Sequence, residues 1–97
     1  MTTDELEALF ENDDDEFLKF DRVEPKRSNS SDIHAFLLLN ELCPLHSNRD
    51  MVCGARHDEI FLRVEPEELA AAATEAQVIE LIRCGVRLSD GYLCMFV

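Results

Sequence analysis

Ninety-seven residues suffice for one domain near the lower end of the common size range. Hydrophobic residues make up 46% of the chain, enough for a core, which excludes wholesale disorder. Acids outnumber bases 21 to 9, a net charge of −12; nucleic acid and anionic membranes are therefore repelled, while basic protein surfaces are attracted.

The imbalance is concentrated at the start. Asp4, Glu5, Glu7, Glu11, Asp13, Asp14, Asp15 and Glu16 occupy the first sixteen positions with no base among them. Residues 2 to 11 read as a short helix. Thr2 with Glu5 three positions on forms a capping box, Leu6, Leu9 and Phe10 share one face, and early acids suit the helix dipole. Asn12 to Glu16 interrupts the pattern. Phe17, Leu18, Phe20 and Val23 then make a second apolar cluster before the polar stretch Glu24 to Ser31, which reads as a linker. The expected division is thus an acidic arm and linker over 1–30 and a compact α+β domain over 31–97.

The clearest helix spans about 32–43, capped by Ser31 and ended by Pro44. Its apolar residues leave a narrow polar face of His34, Asn40 and Glu41, which predicts burial on most sides. A hairpin is expected over about 51–64, turning at Arg56-His57-Asp58, with Ile60, Leu62 and Val64 on one side. Pro66 opens a helix over 67–73. Thr74 with Gln77 caps a further one over 75–84, which Gly85 ends in the left-handed conformation. A closing hairpin over about 86–97 turns at Ser89-Asp90-Gly91, and its last strand is apolar on both faces, as an interior strand is. The fold class is α+β: a small antiparallel sheet of two hairpins packed against helices, with an acidic N-terminal helical arm. The core is predicted to include Phe36, Leu39, Ile60, Leu62, Val78, Ile82, Leu93 and Met95.

The opening Met1-Thr2-Thr3-Asp4-Glu5 lacks the basic and apolar regions of a secretory peptide. The longest apolar run, Ala35 to Leu39, is far too short to cross a bilayer. A cytoplasmic setting is expected, and with it Cys43, Cys53, Cys84 and Cys94 as thiols, not disulfides.

One constellation has metal-ligand chemistry: Cys43, His46, Cys53 and His57, thiolates and imidazoles in two short-spaced pairs suited to tetrahedral zinc. Cysteines at a helix end and in a strand also serve as small buried hydrophobes, and that reading is preferred, with no cofactor expected. Asp13 to Glu16 lacks the alternating oxygens and the glycine of a calcium loop. No glycine-flanked nucleophile, phosphate loop or zinc-protease helix is present, so a non-enzymatic protein is expected.

The expected function is binding of another protein through the acidic segment. Asp4, Glu5, Glu7, Glu11, Asp13, Asp14, Asp15 and Glu16 would steer the encounter, and Phe17 and Phe20 would anchor it. The sharper form is a nucleic-acid mimic that inhibits a nucleic-acid-binding protein. In size, charge and lack of enzyme motifs the chain resembles the small acidic inhibitors that bacteriophages use against host restriction and CRISPR machinery. That resemblance is one of general character and transfers no residue roles. Two alternatives stay open: an adaptor stabilised by zinc at Cys43, His46, Cys53 and His57, and a regulatory subunit docking through its acidic, apolar arm. A homo-oligomer through residues 92–97 is possible if that strand lies at a sheet edge.

Overall fold

The computed structural model describes residues 1–46 and 49–96. Its elements are α1 (Thr3–Asn12), two 3-10 turns (Asp14–Glu16 and Phe20–Arg22), α2 (Ser31–Leu42), β1 (Val52–Arg56), β2 (Glu59–Leu62), α3 (Pro66–Ala72), α4 (Glu75–Arg83), β3 (Arg87–Ser89) and β4 (Tyr92–Phe96). Val97, placed by the sequence in the closing strand, lies outside the described residues, as do Ser47 and Asn48 of the polar loop. No helix among the described residues is long and apolar enough to cross a membrane.

Local chemistry accounts for most boundaries. The Thr2 hydroxyl accepts the Glu5 N–H at 3.1 Å while Glu5 accepts the Thr2 N–H at 2.9 Å, which satisfies two orphan donors of α1. Thr74 and Gln77 do the same for α4. Glu65 and Glu68 form a third such box at α3, one the sequence reading passed over because a glutamate stands where a hydroxyl is usual. Pro66 sits in the first turn of α3, where no N–H is required of it. Ser31 does not cap α2: Ser30 holds the cap position, without a side-chain bond, and Ser31 is the first helical residue.

The two hairpins join into one antiparallel sheet in the order β1-β2-β4-β3. Asp90 and Gly91 both have positive φ, 52° and 81°, as a tight two-residue turn requires. The register sets Ile60 opposite Met95 and Leu88 opposite Leu93, so these side chains and Leu62 form the face that packs on the core. The opposite face carries Glu59, Phe61, Tyr92, Phe96 and Arg87, and it leaves Tyr92 and Phe96 exposed. β4 pairs with β2 on one side and β3 on the other, so Tyr92–Phe96 is interior, as its apolar faces imply, and does not form a sheet edge. The edges are β1, kinked by an irregularity at Val52 to Gly54, and the short β3.

Of the predicted core residues, Leu39, Leu62, Val78, Ile82, Leu93 and Met95 are buried, while Phe36 and Ile60 are partly buried against them. Two findings depart from the sequence reading. Leu6 and Val23, from the segment read as arm and linker, belong to the same buried cluster as Leu39, Leu81 and Leu93, and α1 packs on α3 and α4. The face of α2 is also rotated relative to expectation: His34, read as part of the polar face, is fully buried, whereas Ile33 and Leu37 are each 47% exposed. His34 tolerates this burial because both ring nitrogens have hydrogen-bond partners.

Candidate functional site

The acidic segment divides into two populations. Asp4, Glu7, Glu11, Asp14 and Asp15 are exposed, and none makes an ion pair among the described residues. Glu5 and Glu16 are engaged through their carboxylates, whereas Asp13 is half-buried and engaged through its backbone alone. Hydrogen bonds from the backbone and side chain of Thr2 hold the Glu5 carboxyl below the usual range. Asp13 is the C-terminal cap of α1, and its N–H donates to the Leu9 carbonyl at 3.0 Å.

Glu16 is a clasp. Its Oε2 accepts from Arg83 Nε at 2.6 Å and its Oε1 from Arg22 Nη1 at 2.9 Å, tying the first 3-10 turn and the second to the end of α4. The Arg83 hydrogen bond in the first place, and Arg22 in addition, hold its carboxyl below the usual glutamate range. The next residue but one, Leu18, donates its N–H to the Ile82 carbonyl at 3.2 Å from a backbone with φ 62°. Its side chain lies over Gly85, where an added Cβ would meet Leu18 Cδ2 at 2.7 Å; with φ 101° as well, glycine is required there.

A pH dependence follows from Glu16. A carboxyl whose folded value is depressed contributes stability that is present above its unfolded value and disappears as pH falls through the folded one. Glu16→Gln is therefore expected to lower the melting temperature at neutral pH. The gap to the wild type should close in acid, below the ordinary glutamate range. Thermal scans of both proteins across that range check it, and a gap that persists in acid would assign the effect to packing instead.

Phe17 and Phe20 do not stand free as anchors. Both are partly buried against the chain's own core. Phe20 meets the His34 ring edge-on at 5.7 Å and carries Lys26 Nζ over its face at 5.1 Å. The large apolar side chain left exposed in this segment is Leu18.

The cysteine–histidine constellation is not gathered. Cys43 is buried at the end of α2, His46 is exposed beyond it, Cys53 is exposed on β1, and His57 stands at the tip of the first hairpin with φ 55°. Among the described residues no three His, Cys, Asp or Glu side chains are grouped so as to hold a metal. Burial pushes the Cys84 thiol up to about 12 and raises Cys43 and Cys94 as well. Thiols held protonated in this way are poor nucleophiles and serve as core atoms.

The structure adds a feature that residue types alone do not announce. A groove of about 540 Å³ runs between α1 and the β3–β4 hairpin. Its apolar lining includes Phe10, Phe17, Ile82, Val86 and Leu88, and its carboxylates are Glu7, Glu11, Asp14 and Asp90. The cation in its lining, Arg87, is already engaged: Nη1 donates to Glu59 Oε2 at 2.9 Å and the guanidinium lies 4.3 Å from the Phe96 ring centroid. The signal available in the sequence was partial. Glu7 and Glu11 beside Phe10 on one helix were visible, but nothing indicated that Asp90, about eighty residues later, would close the same rim.

Comparison with protein families, curated proteins and solved structures finds no match. The functional reading therefore rests on this acidic helix, its groove and the α+β frame that positions them.

Proposed function

We propose that this chain is a non-enzymatic protein that binds the basic surface of another protein. The observation that carries the reading is the set of five exposed, unpaired carboxylates Asp4, Glu7, Glu11, Asp14 and Asp15 on α1 and the turn after it. Like charges at helical spacing destabilise a helix slightly, and no cation among the described residues pairs with these. Such a surface favours encounter with a cationic partner and disfavours nucleic acid and anionic lipid.

The finer form of the reading is mimicry of nucleic acid, with a nucleic-acid-binding protein as the target and inhibition as the result, acting in the cytoplasm. Charge spacing bears on it. Asp4, Glu7 and Glu11 advance along a helix that rises 1.5 Å per residue, so they present one charge per roughly 5 Å. A DNA strand carries one per roughly 3.4 Å of axis. The helix is sparser than one strand and far sparser than a duplex. Attraction to basic protein is thus the better supported part, and mimicry is the part that a competition experiment must decide.

Affinity capture from the source cell, using the wild type and an Asp4→Asn, Glu7→Gln, Glu11→Gln, Asp14→Asn, Asp15→Asn variant, tests both parts. The wild type is expected to retain a basic protein that duplex DNA displaces, and the variant to retain little of it. In kinetics with that protein, neutralisation should slow association by about 10-fold or more and flatten the salt dependence. Equal capture by the two forms would end the electrostatic reading. Capture that DNA does not disturb would end mimicry alone.

A further inference from the structure

We propose that the groove between α1 and the β3–β4 hairpin is the docking site for an extended segment of the basic partner, one that carries both apolar side chains and Lys or Arg on the face turned to the groove. The inference rests on the basic-partner reading and assigns it a place and a recognition chemistry.

The lining chooses between kinds of ligand. Its four carboxylates surround apolar side chains, and its one cation is committed to Glu59 and Phe96 on the far face of the sheet. A small anion is excluded by that charge. A fully hydrated cation gains attraction but leaves the floor of Phe10, Phe17 and Leu88, each half-buried, wet. A segment carrying both cationic and apolar side chains satisfies both surfaces, burying the second against the floor while the first meet the rim. The volume, about 540 Å³, lies within the range of formed binding clefts.

The backbone chooses the conformation. β3 is an edge strand, and Ser89 pairs with Tyr92 across the two-residue turn. In an antiparallel ladder closed this way the peptide groups alternate in direction, so Leu88 turns its N–H and C=O away from β4. An incoming extended chain can pair with those groups, which gives main-chain affinity, while alternate side chains enter the groove and supply selectivity. The three-residue length of β3 keeps this edge too short to recruit long strands indiscriminately.

The test keeps the full chain intact and varies the probe. Two synthetic peptides of about eight residues are compared, one repeating Lys-Thr-Val-Thr and one repeating Lys-Thr-Ser-Thr, so that Lys shares a strand face with Val or with Ser while the charge is identical. Each is titrated into the isotopically labelled protein while amide shifts are followed. The valine peptide is expected to bind at least about tenfold more tightly, since even one buried valine supplies that factor. Its shifts should centre on Phe10, Val86, Leu88 and Gly91 and leave Asp32 unmoved. Glu7→Gln, Glu11→Gln and Asp90→Asn together should weaken both peptides. Equal binding of the two peptides would overturn the groove and leave the basic-partner reading standing. Tight binding whose shifts fall on Phe61, Tyr92 and Phe96 would likewise overturn the site. Failure of both peptides to bind at low salt would overturn the groove and the electrostatic reading together.

Discussion

Leu6→Ala is expected to cost about 2–5 kcal/mol of folding stability, the range for truncating a leucine in a core that relaxes only partly. Leu6 is fully buried although it is flanked by Glu5 and Glu7 in the most acidic stretch of the chain. Its helix packs on α3 and α4, and Leu9, Phe10, Phe17 and Phe20 add partly buried area around it. For a domain of this size each kcal/mol moves the melting temperature by about 4–8 °C. The shift should therefore be large and easily read by circular dichroism. Deleting residues 1 to 22 removes all five side chains and uncovers the faces of α3 and α4, so the remainder is expected to lose cooperative unfolding at ordinary temperature. A truncated chain that melted like the wild type would show that the domain holds together without residues 1–22, in line with the expectation of a self-sufficient unit over 31–97, and that the first helix is a passenger.

That outcome bears directly on function. An acidic helix anchored by Leu6 presents its carboxylates from a fixed frame, so binding costs less ordering than it would from a loose arm. A detachable arm would instead order on its partner, with Phe17 and Phe20 free to become anchors. The two states differ in stability, measured without knowing the partner.

The legible parts of the fold were those written in local chemistry. Thr2 with Glu5 and Thr74 with Gln77 gave helix starts because each pair satisfies orphan donors within four residues. Gly85 and the Asp90-Gly91 turn were legible because positive φ leaves few residue types to choose from. The alternation at Ile60, Leu62 and Val64 showed which side chains face inward, and all three lie in the core or against it.

The parts that were not legible depend on partners distant in sequence. The polar stretch Glu24 to Ser31 looked like a boundary, but Val23 beside it is buried and Arg27 within it pairs with Glu41 of α2. Glu16 looked like one more solvated acid until Arg83 came to meet it. Residue type gave the acids of the candidate groove, whereas its shape required α1 and the last hairpin to be brought side by side. His34 is the sharpest instance, because a helical wheel assigns it to water by its polarity.

His34→Leu is expected to cost about 2–4 kcal/mol even though leucine is the more apolar residue and the site is fully buried. Both ring nitrogens are used. The backbone N–H of Arg27 donates to Nδ1 at 3.0 Å, and Nε2 lies 2.6 Å from Glu80 Oε2. An acceptor at Nδ1 carries no proton, so the neutral ring holds its proton on Nε2 and donates it to the Glu80 carboxylate. One side chain thereby joins the polar stretch, α2 and α4, with Phe20 closing over it edge-on. Leucine would leave the Arg27 N–H without its acceptor and remove a donor from Glu80. The loss is moderated because the Glu80 side chain keeps 26% exposure and can recover water. Glu80→Gln retains an oxygen to accept from Nε2 and should cost less than Glu80→Ala, which retains none. Denaturant melts of the three variants give the ordering. The ring nitrogen spectrum of the wild type gives the independent check: an unprotonated Nδ1 and a protonated Nε2 at neutral pH. A protonated Nδ1 would sink the account, since that nitrogen could not then accept from Arg27, and the polar stretch would have to be held in place by something else.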